Sequence, residues 1–172
     1  MNMKRMFLMC GCSGAGKTTF AKEFAKRHNL RYIGVDDFYA KVNGDECLHI
    51  NVFEVWIEFF KAIHKAEEEG VSCVVDTNAI TRCHREQFVE WFPTFEHHLI
   101  YIKAGPALRM LNNLSRRRQV PTEEMDRMTE RLEVPYSGTE CPEWKTIRVI
   151  KNENNVFNKP DYWRGEEYMT LI

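Results

Sequence analysis

A chain of 172 residues, 44% hydrophobic and 28% charged, holds enough apolar material for one core and is the size of one domain. A formal net charge of −1 excludes coating long nucleic acid by charge alone, while leaving room for a small basic groove on a strand end. No apolar run reaches membrane-spanning length and the N-terminus lacks a secretory h-region, so the expectation is a soluble, cytoplasmic protein with no membrane partner.

Arg5–Cys10 is a short, continuous apolar run and reads as a buried strand that leads directly into Gly11–Thr18. Helical spacing follows over Thr18–His28, with Phe20, Ala21, Phe24 and Ala25 on one face. Arg31–Val35 reads as a second strand, ending at Asp36-Asp37. Asn51 then caps a helix that runs to about Glu69, and Gly70 stops it. Ser72–Val75 is a strand that delivers Asp76-Thr77-Asn78 at its carboxyl end. Thr81–Phe92 is a helix halted by Pro93, and His98–Ile102 is a fourth strand. Helices are expected from Pro106 to about Arg118 and over Pro121–Leu132, and a last strand over Thr146–Ile150. From Asn152 onward no period is visible, and a loosely attached tail is expected.

Strands alternating with helices predict an α/β fold: a three-layer α/β/α sandwich on a mostly parallel five-stranded sheet. The domain is expected over residues 1–150, with a helical lid at about 105–135 and a tail at 151–172. The six cysteines (Cys10, Cys12, Cys47, Cys73, Cys83 and Cys141) show no zinc spacing and read as reduced and mostly structural. His97-His98 reads as surface.

Gly11-Cys12-Ser13-Gly14-Ala15-Gly16-Lys17-Thr18 matches the P-loop pattern G-x-x-x-x-G-K-[ST] in full. Glycines let the backbone curl until successive N–H groups face a phosphate, and the helix that follows adds the positive end of its dipole. The pattern predicts an ATP site on Gly11–Thr19. Lys17 would reach the β- and γ-phosphates, and the Thr18 hydroxyl would ligate Mg²⁺. No N-K-x-D motif of a GTPase is present, nor an Asp-Glu strand end of Walker B type.

In a parallel α/β sheet, ligands sit beyond the carboxyl ends of the strands, where Asp36 and Asp37 also fall. A carboxylate there can accept the proton of an attacking hydroxyl, and Asp36 is the favoured base. Arg116, Arg117 and Arg118, between two helices, suit a lid that folds over a triphosphate and excludes water. These features predict transfer of a γ-phosphoryl group to a hydroxyl acceptor. A nucleotide-binding switch is the contrasting reading.

Residues 5–150 resemble the polynucleotide 5′-kinase-like group of P-loop kinases. The resemblance rests on G-C-S-G-A-G-K-T-T-F-A, Asp36-Asp37, V-V-D-T-N at Val74–Asn78 with Arg85 beyond it, and N-L-S-R…V-P followed by Leu132–Pro135. It implies that Asp36 is the general base, Arg116 the lid arginine on ATP, and Asp76, with Asn78 and Arg85, part of the acceptor pocket. The acceptor implied is a nucleic acid 5′ end. Where that group carries an arginine three residues after the base, this chain has Tyr39. The string Asp36–Lys41 also resembles the D-D-F-Y-K stretch of uridine- and nicotinamide-riboside-type kinases, which implies a small hydroxyl substrate as the alternative. Tyr39 could stack on a base in either case.

Overall fold

Met6, Leu8 and Cys10 point to one side of strand β1 (Arg5–Cys10), and Phe7 and Met9 to the other. Both sides are covered, which is why the strand is apolar without alternation. A computed structural model describes residues 3–136 and 138–164. Among these, β1 is the central strand of a five-stranded sheet whose order is β2-β3-β1-β4-β5. The other strands are β2 (Arg31–Gly34), β3 (Cys73–Asp76), β4 (Glu96–Lys103) and β5 (Trp144–Lys151), and every pairing is parallel.

One face of the sheet packs against α3 (Val52–Glu68) and α4 (Arg82–Trp91), through Phe59, Ile63 and Phe88. The other packs against α1 (Lys17–His28), through Phe20 and Phe24. This is the expected three-layer arrangement. Helices α5 (Pro106–Leu114) and α6 (Thr122–Glu130) flank the arginine segment, and both are shorter than the sequence suggests. Helix α2 (Val35–Asn43) was not anticipated: β2 turns into it without a linker, which puts Asp36 and Asp37 in its first turn.

Two expectations are corrected. The segment after Asn152 is not loosely attached. Phe157 and Trp163 are buried against Phe20, completing the core on the α1 side; positions 165–172 lie outside the described residues. His97 and His98 are not on the surface. His97 Nε2 bonds the Phe92 carbonyl at 3.0 Å, and His98 stacks on Phe7 and bonds Thr146. A strand covered on both faces has no surface side for them. All six cysteines are free thiols in the structure.

Candidate active site

The cradle is built where β1 meets α1. Gly14 and Gly16 have φ of 79° and 96°, conformations that side chains rarely adopt. Space forbids a Cβ there as well. At Gly14 it would run into the Arg109 carbonyl, and at Gly16 it would come within 2.6 Å of Asn152 Nδ2. The loop is therefore wedged between α5 and the chain that follows β5.

Three asparagines hold it there. Asn152 Nδ2 donates to the Ala15 carbonyl at 2.9 Å, and Asn112 Nδ2 donates to the Gly14 carbonyl at 2.8 Å. Asn112 and Asn155 also exchange a reciprocal pair of amide hydrogen bonds, each 2.9 Å. The motif gives no hint of these partners. An Asn at the carboxyl end of the last strand was the one available signal, since ligands gather at that edge.

Lys17 is buried, and its Nζ donates to the Cys12 carbonyl at 3.0 Å. Burial lowers its pKa, the Asp76 carboxylate opposes that shift, and Arg116 adds to it. Ser13, Cys12 and Ala15 are buried with it, and Thr19 is exposed at the rim. Thr18 Oγ1 donates to Asp76 Oδ2 at 2.7 Å. The strand end has no Asp-Glu pair, as the sequence shows, but its one carboxylate reaches the P-loop. Asp76 stands at the carboxyl end of the strand beside β1, in hydrogen-bond contact with the Thr18 hydroxyl, although no Glu follows it. Desolvation raises the Asp76 pKa against the pull of Lys17. Asn78 serves through its carbonyl, which accepts from the Gly11 N–H at 3.0 Å.

The arginine segment divides its work. Arg118 Nη1 donates to Asp36 Oδ1 at 2.6 Å, and Arg117 Nη2 to Asp45 Oδ2 at 2.7 Å. Arg116 lines a cavity with Lys17, Thr18, Asp36 and Asp76, and a second one with Gly16 and Thr19. The three candidate lid arginines thus line one cavity with Gly16, Thr18 and Thr19, and of the three Arg116 also lines the cavity with Asn152 and Phe157.

Two expected acceptor residues are placed differently. Arg85 is fully buried, forms a bidentate pair with Glu140 and donates to the Ala79 carbonyl at 3.0 Å; it lines none of the cavities around the cradle. Its charge is spent on packing α4 against the loop at 138–141. Tyr39 is buried as well, stacked on His49 at 4.2 Å with the Arg118 guanidinium 5.9 Å from its ring centre, so it has no face to offer a base. Asp37 is exposed on the outer side of α2.

The carboxylate–arginine mouth, buried lysine and Thr18–Asp76 pair can hold a polyanion with a divalent cation and bring a hydroxyl to its end. A larger concavity, about 630 Å³ beside Phe95 and His97, lies at the amino end of β4 and has no phosphate cradle.

Solved structures with the same fold include a sugar kinase from Janibacter sp. HTCC2649, 17% identical with a TM-score of 0.66, covering 98% of this chain and 95% of its own. A shikimate kinase from Bacteroides thetaiotaomicron is also 17% identical, with a TM-score of 0.58, covering 97% and 99%. The Pnkp1/Rnl/Hen1 RNA repair complex contains a chain 14% identical with a TM-score of 0.67; the match covers 77% of this chain and 45% of that one. At these identities the likeness shows the fold. No curated protein matches the sequence. A family model described as an AAA domain matches residues 6–135, and the chain belongs to that family, built on a kinase-like P-loop fold.

Proposed function

We propose that this protein is a kinase that moves the γ-phosphoryl group of ATP to a hydroxyl on a small acceptor. The observation that carries the reading is one cavity shared by Lys17, Thr18, Asp36, Asp76, Arg116 and Arg118. A nucleotide switch has no need of an acceptor-side carboxylate facing its phosphate loop.

The fit to ATP and Mg²⁺ rests on the cradle. Its glycines cannot carry a Cβ, it opens on the N-terminus of α1, and Thr18 is bonded to a buried carboxylate. Thr18 and Asp76 would hold Mg²⁺, which would supply positive charge against the negative charge that develops in transfer. The nucleoside would extend past Gly16 into a cavity of about 210 Å³ floored by Phe157 and walled by Asn112, Asn155 and Ser115. Lys17 and Arg116 bind the transferring phosphoryl oxygens. Asp36 accepts the hydroxyl proton as the acceptor oxygen bonds to the γ-phosphorus and the bond to the ADP oxygen breaks. Arg118 orients that carboxylate.

The acceptor side supports a small substrate. The cavity shared by Lys17 and Asp36 is only about 70 Å³, and Tyr39 is buried and stacked on His49. A 5′-hydroxyl nucleic acid end is the second reading, favoured by V-V-D-T-N and the Arg-rich segment closing in Val120-Pro121. Radiolabel transfer from γ-labelled ATP to a panel of nucleosides and polyols, beside 5′-hydroxyl RNA and DNA oligonucleotides, tests both. Label on a small acceptor alone upholds the proposal; label on oligonucleotides alone replaces it with the second reading. ATP turnover indifferent to every acceptor overturns both.

A further inference from the structure

We infer that Tyr32 is a positioning residue for the divalent cation, acting through the Asp76 carboxylate on the Thr18 hydroxyl. The inference rests on the kinase reading above and adds to it a residue that no motif contains.

Tyr32 OH donates to Asp76 Oδ2 at 2.9 Å, and Thr18 Oγ1 donates to the same oxygen at 2.7 Å. One carboxylate oxygen is thus gripped by a strand residue on one side and by the helix-borne metal ligand on the other. A carboxylate has no donor of its own, so both protons come from the hydroxyls and both bonds constrain its rotation.

The strand register explains how Tyr32 reaches so far. In β2–β3 pairing Tyr32 lies opposite Val74, and Gly34 lies opposite Asp76. Tyr32 and Gly34 are two residues apart, so they share a face of the strand. The Tyr32 ring leans along the strand over Gly34 and meets Asp76 on the diagonal, a distance that suits a long aromatic side chain. Only a glycine permits this: a Cβ on Gly34 would collide with the Tyr32 hydroxyl. Gly34 has an ordinary extended backbone, so its small size is needed for the ring and not for the chain. Lys22 of α1 lies 5.2 Å from the ring centre and closes the outer side.

Tyr32 and Gly34 therefore form one device, an aromatic strut with the space to lie in. Partners that hold a metal-ligating group in place commonly contribute about 10–100-fold to metal affinity. A strut whose only role is packing would change stability and leave the cation requirement alone.

Calorimetric titration of a non-hydrolysable ATP analogue into the full chain, in EDTA and across a Mg²⁺ series, separates the cases. Wild-type binding that ignores Mg²⁺ overturns the kinase reading itself. If wild type tightens with Mg²⁺, Tyr32→Phe should need about 10-fold more Mg²⁺ for half its effect, with binding in EDTA unchanged. Gly34→Ala keeps the hydroxyl but displaces the ring, and should shift the Mg²⁺ requirement in the same direction. A wild-type Mg²⁺ requirement in either variant overturns the inference, whatever happens to its melting temperature.

Discussion

Asn152→Ala tests whether the chain after β5 is part of the nucleotide site. Asn152 is 2% exposed, and its side chain serves two backbone groups. Nδ2 donates to the Ala15 carbonyl, and Oδ1 accepts from the Val156 N–H at 3.1 Å. Truncation leaves both without a partner, at about 1–3 kcal/mol per buried group. The loss should be at least about 2 kcal/mol, or about 4–8 °C in Tm for a chain of this length. The effect on binding has a separate cause. In a trans peptide the C=O and N–H point opposite ways, so pinning the Ala15 carbonyl toward Asn152 fixes the Gly16 N–H on the other side. Releasing it should weaken ATP about tenfold, equivalent to about 1.4 kcal/mol. Asn152→Asp retains the acceptor for Val156 but sets a charged oxygen against the Ala15 carbonyl, and should be no better than Ala. Urea midpoints and calorimetric ATP affinities are the assays. An Asn152→Ala chain within about 0.5 kcal/mol of wild type, the range of an ordinary surface change, with unaltered ATP affinity would refute the reasoning.

Lys17→Ala should abolish phosphoryl transfer while the circular dichroism spectrum stays native; retained transfer would sink the phosphate assignment. Asp36→Asn should slow turnover by about 10²-fold or more, and near-normal rates would remove it as the base. Arg85→Met should cost about 3–5 kcal/mol by stranding Glu140, yet leave acceptor KM unchanged; a raised KM would return Arg85 to the acceptor pocket. Burial lowers the pKa of both His97 and His98 from the ordinary 6.5. The unfolded chain then binds protons first, so stability should fall as pH drops below 6.5. Urea midpoints at about pH 8 and pH 5 measure the decline, and His97→Gln should flatten it; an equal decline in both chains would clear His97 of any part.

What was legible in the sequence was local. The P-loop can be read because its chemistry lies in eight consecutive residues that join a buried strand to an amphipathic helix. Helix α2 was missed because its Asp-Asp start looks like a turn. Val35 and Phe38 at helical spacing, and Gly44 in left-handed conformation at the end, were the signals. Asn152, Asn155 and Phe157 were unreadable because side-chain bonds to the phosphate loop and two aromatic anchors hold that segment, and neither leaves a period. Arg85 was misplaced for a related reason: its partner Glu140 is 55 residues away, and nothing in the helix reveals whether an arginine faces a ligand or a distant carboxylate.

The arginine triplet shows how one charged run can supply different functions once it bends. Arg117 is 73% exposed and is paired with Asp45 at the rim, where solvent leaves such a bond little net strength. Arg118 is 25% exposed and is paired with Asp36, which fixes the carboxylate proposed as the base. Arg116 is exposed, yet it lines one cavity with the buried Lys17 and Asp76. Asp76 is already bonded by Thr18 and Tyr32, so it cannot turn to satisfy either cation. The wall thus sets two cations against one buried carboxylate, with Lys17 held by burial and the loop by the asparagine wedge behind it. Such a wall gains most from a ligand that brings several negative oxygens at once, as the triphosphate of the proposed reaction would. In the proposed reaction, electrostatic preorganisation of this kind needs the cradle, the arginine segment and the chain after β5 together, so the proposed functional unit extends past the P-loop to Trp163.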